Sequence, residues 1–368
     1  MHKLRYFSAI IALALPMVVS QAAPGQDSKN PDAPYIPPAC STQVTPAPAD
    51  VANDHDIDPS IRAYLIELNR NPSPFWTLPQ PGPQDTLTAL QKETPVDNSG
   101  ITVTSVPLTV EGRDVKLYVV KPVHTAAHPG VILFLHGGVW LAGNFENHKH
   151  LVRTLVVESG QPAVFLEYTP LPTAKYPAQM NQAYAALEWT YKNAASFGAD
   201  PRRIAVVGNS VGGDMTAGLT LMDKERHGPK ISYQVLLWPA TNASVDTCSY
   251  IKYANGRFLA QAFMKYGWDL YAPTEEERNN PYVSPLRASL NQLRDLPPAL
   301  TILEENDPLR DEGAEYAHRL EDAGVSVLSI QYNGTIHDFG ILTALANVPS
   351  TKAAISRTAQ EIRAHIGQ

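Results

Sequence analysis

Apolar residues along this chain fall into short unbroken runs, separated by longer stretches in which they recur every third or fourth position. Residues 131–135, 163–168, 204–207, 233–238 and 299–304 are runs rich in Val, Ile, Leu and Phe. Runs that are apolar on both faces predict buried parallel strands. Residues 326–332 alternate and predict a further strand. Between them, residues 180–195, 213–227 and 313–323 carry apolar positions at helical spacing, and residues 352–366 close the chain in the same way. Earlier, Ile61, Leu65 and Leu68 share one helical face within 59–70, after which 71–83 becomes proline-dense and extended. Residues 101–108 and 114–120 flank Glu111-Gly112-Arg113 and predict an antiparallel pair at a sheet edge. This alternation of strand and helix predicts an α/β protein, a mainly parallel sheet covered by helices on both faces. No internal repeat is visible, and one core domain accounts for the pattern more simply than two.

The loops after the predicted strands hold the chemistry. The run 203–207 stops at Gly208-Asn209-Ser210-Val211-Gly212-Gly213, and helix-forming residues follow. Strand, sharp turn and helix with a serine at the apex lift Ser210 Oγ clear of the sheet, with the following N–H groups facing whatever it attacks. The run 131–135 ends in His136-Gly137-Gly138-Val139, where consecutive glycines let backbone N–H groups turn toward a cavity and hold a developing oxyanion. His136 precedes the serine and reads as a scaffold residue of this loop. The run ending at Glu304 is followed by Glu305-Asn306-Asp307 and then Asp311, and the strand ending at Tyr332 by His337. An acid after one strand and a histidine after the next would reach the same carboxyl edge of a parallel sheet as Ser210. Asp307 lies closest to the strand end and is read as the acid, with Asp311 as the alternative. His337 would remove the serine proton, and Asp307 would fix its tautomer. Glu304 and Glu305 read as salt-bridge residues without a role, and His318 as a helix-surface residue. His148 and His150, with Glu146, suggest a metal at first. Residues two apart do not share a helix face, and the segment reads as solvated.

Taken together, these motifs resemble the hormonesensitive-lipase-like family of α/β-hydrolase carboxylesterases. The likeness rests on His136-Gly137-Gly138, Tyr176-Pro177-Ala178, the 197–204 segment, the Ser210 elbow, Ser284-Pro285-Leu286, residues 307–313 and His337-Asp338-Phe339. It implies an α/β-hydrolase fold with a mostly helical cap drawn from about 55–95 and 243–283. It implies Ser210, Asp307 and His337 as nucleophile, acid and base, and an oxyanion hole from the N–H groups of the Gly137, Gly138 and Val139 loop and of Val211. Four positions depart from the family pattern: Val139 replaces the third glycine, Asn209 an aspartate, Val211 an alanine and Thr169 an arginine. The implied activity is hydrolysis of carboxylic esters through an acyl-enzyme. Short acyl chains are preferred, because Val139 and a cap both restrict space. The same machinery would suit an amide, a carbamate or an acetyl group on a sugar polymer, and the fold alone would suit a non-catalytic binding protein.

Composition changes this picture in two places. Lys3 and Arg5, an apolar run over 6–19 and Ser20-Gln21-Ala22-Ala23 predict a cleaved secretory leader over 1–22, too short for a good membrane span. The expected location is therefore secreted or periplasmic. Residues 23–50 are rich in Pro, Ala, Asp and Ser and predict a flexible arm before a domain over 51–368. In an oxidising compartment Cys40 and Cys248 would form one disulfide, with two free thiols as the alternative. Loss of Lys3 and Arg5 leaves 27 basic against 36 acidic groups, so the formal charge moves from -7 to -9. That balance disfavours nucleic acid and other anionic polymers as partners, leaving a small-molecule ester as the expected one. No Cys-x-x-Cys pair, glycine-rich phosphate loop or basic stripe calls for a metal, nucleotide or other cofactor. The sequence carries no signal for an oligomeric state.

Overall fold

In the computed structural model residues 30–70 and 73–367 are described. The expected leader (1–22) and the first part of the expected arm (23–29) lie outside them. Among the described residues eight strands form one sheet: β1 Ile101–Val110, β2 Arg113–Pro122, β3 Val131–Leu135, β4 Ala163–Glu167, β5 Ile204–Asn209, β6 Ile231–Leu237, β7 Ala299–Asn306 and β8 Val327–Ile336. Their spatial order is β1-β2-β4-β3-β5-β6-β7-β8. β2 runs antiparallel to both its neighbours, and every other pairing is parallel. Glu111 and Gly112 both have positive φ, the turn whose twist suits a two-residue hairpin between β1 and β2.

The helices are α1 Pro59–Leu68, α2 Gly82–Lys92, α3 Phe145–Ser159, α4 Ala178–Asn193, α5 Val211–Arg226, α6 Cys248–Lys252, α7 Gln261–Tyr271, α8 Glu275–Asn279, α9 Leu290–Leu293, α10 Arg310–Asp322 and α11 Pro349–Ile366. Strand alternation sorts the core into two layers. Leu133 and Leu135 pack with Leu187 of α4 and Met215 of α5. Ile132 and Phe134 pack on the opposite face with Leu155 of α3 and Ile362 of α11. None of the described helices is long and apolar enough to cross a membrane.

Three sequence expectations change. The 146–150 segment is not solvated. It opens α3, which starts at a capping box between Asn144 and Asn147 and ends at Gly160 in the left-handed region. Phe145, Leu151, Val152, Leu155 and Val156 face the core and carry buried His148 inward with them. The first cap segment also divides. Ile61 and Leu65 of α1 join the α3–α11 layer, whereas Phe75 and Trp76 pack with Phe263 of α7, Trp76 stacking on it at 5.0 Å. That stack joins the two expected cap segments.

Finally, residues 30–50 are held along the body where a flexible arm was expected. Prolines keep the segment extended, and three of its backbone donors find acceptors on the body. Tyr35 N donates to Arg287 O at 3.1 Å, Cys40 N to Asp246 O at 2.9 Å and Ala47 N to Lys252 O at 2.8 Å. Tyr35 donates from its hydroxyl to Glu315 at 2.6 Å. Fully buried Arg257 binds Pro48 O and pairs with Asp54. A disulfide joins Cys40 to Cys248 at the start of α6, so both cysteines are used.

The bond closes a loop of 208 residues. Replacing both cysteines by alanine is expected to cost about 2–5 kcal/mol of folding free energy. Urea unfolding under oxidising conditions measures it, and dithiothreitol should lower the wild-type midpoint without moving that of the variant.

Candidate active site

The reactive serine owes its position to glycines that permit contact. A Cβ on Gly208 would overlap the Gly212 carbonyl, and one on Gly212 would overlap Leu135 O. With both absent, β5 turns into α5 within one residue, and Ser210 takes φ 56° and ψ −125° at the helix N-cap. A non-glycine residue there costs about 1–3 kcal/mol, which the buried strand and helix on either side must supply.

Two further strand ends complete the arrangement. Asp307 follows β7 and His337 follows β8. His337 Nε2 lies 3.0 Å from Ser210 Oγ, and its Nδ1 lies 2.8 Å from Asp307 Oδ2. Asp307 Oδ1 accepts from Leu309 N at 2.9 Å. Each of the three residues is 1% exposed. Burial opposes a charge on His337, yet Asp307 and Asp338 outweigh it and hold the imidazole pKa above its ordinary value. Burial would likewise raise Asp307, but His337 holds it low. Asp311, the alternative acid, points elsewhere: it accepts from Ser249 N at 2.7 Å and pairs with Arg310. His318 is an exposed partner of Glu321.

Glu304 was expected to be a salt-bridge residue without a role. It is fully buried, with Oε2 3.8 Å from His337 Nδ1. Burial first, and then Asp307 beside it, push its carboxyl pKa well up, and neither of its carboxyl oxygens has a hydrogen-bond partner among the described residues. Burial beside an anion favours the uncharged acid, so Glu304 is the neutral carboxyl of the site and Asp307 the charged one. Among the described residues, Glu304, Asp307 and His337 also form the group whose donor atoms would suit a metal. The Nδ1–Oδ2 hydrogen bond already occupies two of the atoms such an ion would need.

The loop after β3 abuts the serine: a Cβ on Gly137 would lie 2.9 Å from Ser210 Cβ. Of the four N–H groups expected to hold an oxyanion, that of Gly137 is already used, donating to Asn209 Oδ1 at 3.0 Å. Gly138 and Val139 follow at φ 94° and 53°, and the chain turns sharply there, with Leu141 N donating to Gly138 O at 2.9 Å. The N–H groups of Gly138 and Val139 have no protein acceptor among the described residues. Val211 opens α5, where a first-turn N–H lacks an intrahelical acceptor. Val139 and Trp140 both hold positive φ, at about 1–3 kcal/mol each. Both side chains are buried, and full burial returns about 1.5–3 kcal/mol apiece. Packing of that size can hold the strained loop.

Asn209 is the functional residue the sequence reading undervalued. Besides accepting from Gly137, it donates from Nδ2 to Asp338 Oδ1 at 3.0 Å. Trp238 Nε1 donates to the same oxygen at 2.6 Å. One amide thus ties the loop after β3 to the residue following His337. His136 behaves as a scaffold. Its ring stacks on Tyr168 at 4.0 Å, and burial, then His148, hold its pKa well below the ordinary value. Burial likewise takes His148 down to about 4.

A family model described as alpha/beta hydrolase fold matches residues 132–341. The ethyl acetate hydrolase of Pseudomonas putida is 33% identical over 228 residues, 61% of this chain and 70% of that protein. The arylesterase of Saccharolobus solfataricus is 31% identical over 251 residues, 68% of this chain and 80% of that protein. Among solved structures, a thermostable esterase from Pseudomonas putida ECU1011 is 42% identical with a TM-score of 0.82 and covers 85% of this chain and 99% of its own.

The neutral Glu304 makes a signed prediction for hydrolysis. A base with a raised pKa loses activity as pH falls, so the acid limb of kcat/KM should lie above the ordinary imidazole value. Glu304→Gln exchanges one neutral side chain for another of the same shape and should leave that limb in place. Were Glu304 an anion, the exchange would move the limb down by on the order of one pH unit. A pH–rate profile of both proteins decides.

Proposed function

Because the chain belongs to the alpha/beta hydrolase fold family, in its hormonesensitive-lipase-like branch, and is a carboxylic ester hydrolase, we propose that Ser210, His337 and Asp307 hydrolyse short-chain esters through an acyl-enzyme. The observation that carries this reading is the pair of contacts at His337, 3.0 Å to Ser210 Oγ and 2.8 Å to Asp307. His337 Nε2 takes the proton as Ser210 Oγ attacks the ester carbonyl. The N–H groups of Gly138, Val139 and Val211 receive the oxyanion, each such donor being worth about 10²–10³ in rate. His337 then protonates the leaving alcohol, and water activated by the same imidazole releases the acid.

Short acyl chains suit a nearly closed site, in which Ser210 is 1% exposed. A relative named for ethyl acetate hydrolysis supports the same scale of substrate. Secretion or a periplasmic location rests on the leader-like sequence over 1–22. The Cys40–Cys248 disulfide, a bond kept mainly in oxidising compartments, adds weight.

Ser210→Ala should lower turnover on p-nitrophenyl acetate by on the order of 10⁴–10⁶ and abolish covalent labelling by a fluorophosphonate. Retained turnover in folded protein would refute the nucleophile. Across a p-nitrophenyl series, kcat/KM should be highest for the shortest acyl chains, and an optimum at long chains would refute the size limit.

A further inference from the structure

The third glycine expected after β3 is Val139, and the structure places its side chain against a glycine on the cap. Val139 is 2% exposed. Its Cγ1 occupies the position that a Cβ on Gly267 would take, and Gly267 lies in the middle of α7. A glycine inside a helix normally destabilises it, so this one calls for a packing reason, and the Val139 methyl supplies it. The next residue makes the second half of the contact. Trp140 stacks flat on Tyr271, with ring centres 3.8 Å apart and planes within 9°. It also meets Trp268 edge-on at 4.7 Å. Gly267 and Tyr271 are one helical turn apart and share a face of α7, with Trp268 beside it. That face therefore receives two consecutive residues of the loop, both in the left-handed region.

We propose that this keyed contact, Val139 in the Gly267 notch and Trp140 on Tyr271, is how cap helix α7 sets the aim of the oxyanion N–H groups. Gly267 is then a positioning residue for ester hydrolysis, although it touches no reacting atom. The inference rests on the reading that the Gly138–Val139 N–H groups hold the oxyanion. The loop carries its donors in a backbone conformation that valine resists. A wall is needed to hold it there, and the Gly267–Tyr271 face of α7 provides it. Displacing the wall by the width of a methyl group displaces the donors. Displacements of about 1 Å in such groups cost on the order of 10²-fold. The loss should fall on kcat, because donors aimed at the oxyanion matter more in the transition state than in the bound ester.

Gly267→Ala on the full-length protein tests this, with kcat expressed per fluorophosphonate-labelled site so that misfolded molecules do not count. The expected result is a fall in kcat of about 10²-fold with KM held within a few-fold. Val139→Ala/Gly267→Ala, which removes the methyls that collide, should return kcat to near the Val139→Ala level. Affinity for a trifluoromethyl ketone, which forms a tetrahedral oxyanion on Ser210, should weaken in Gly267→Ala by the same factor as kcat/KM. Unchanged kcat in Gly267→Ala, or a loss that the double variant does not recover, overturns the positioning role. A recovered loss without any change in ketone affinity instead overturns the reading of the loop as the oxyanion site, while leaving Ser210 labelling intact. If Gly267→Ala does not fold, Tyr271→Leu keeps an apolar side chain, introduces no overlap and removes the face under Trp140. It should also lower kcat at steady KM, and unchanged kcat there overturns the proposal.

Discussion

One buried negative charge governs the reactive end of this molecule. Asp307 is 1% exposed, and an anion so far from water persists only with hydrogen-bond donors in contact. His337 and the Leu309 N–H supply them. Three further buried carboxyls are driven the other way. Burial first, then neighbouring acids, push Glu304 and Asp214 well above their ordinary values. Glu312 follows on burial even though it accepts from Thr241 N at 2.9 Å. The site thus leaves its charge on Asp307 and Asp338, the carboxylates beside the imidazole. The raised affinity of His337 for a proton follows from those two charges.

The sheet supplies the positions and the glycines supply the distances. β5, β7 and β8 run parallel, so their carboxyl ends deliver Ser210, Asp307 and His337 to one rim without any long-range adjustment. The close approaches that make the serine turn possible are steric absences at Gly208 and Gly212. Strain accumulates where the chain is most constrained, at Ser210, Val139 and Trp140. The first is clamped by β5 and α5, the other two by the aromatic face of α7. Strain held by packing keeps N–H groups pointed at a substrate that has yet to arrive, which is the preorganisation an oxyanion site needs.

Much of this was legible in the sequence because it rests on local rules. Apolar runs located the central strands, and Gly208-x-Ser210-x-Gly212 located the serine. Chain order placed Asp307 and His337 after successive strands. What stayed hidden depends on register and on neighbours distant in sequence. Nothing local says that Glu304, one of two adjacent glutamates at a strand end, points inward while Glu305 bonds Gly334 N at the surface. His148 looked solvated because its polar neighbours outnumber the apolar ones until the whole 145–159 helix is considered. The 30–50 segment looked loose because prolines and small polar residues give no sign of acceptors waiting on α6 and its flanking loops. Gly137 counted as an oxyanion donor until the partner of its N–H was known.

Asn209 shows how a departure from a family pattern can follow from another residue. Its side chain must accept from Gly137 N and donate to Asp338 Oδ1. An amide does both, and one orientation satisfies both neighbours. An aspartate at this position would still accept from Gly137 but would face Asp338 carboxyl to carboxyl, with one of the two having to take up a proton. Asp338 is already committed, receiving Trp238 Nε1 and lying 3.9 Å from His337 Nε2, where its charge favours the protonated imidazole. The amide is therefore the group that lets an acid sit beside the histidine. It also makes the loop that would hold the oxyanion and the strand end that holds the base parts of one hydrogen-bonded bracket, so neither can shift without straining the other.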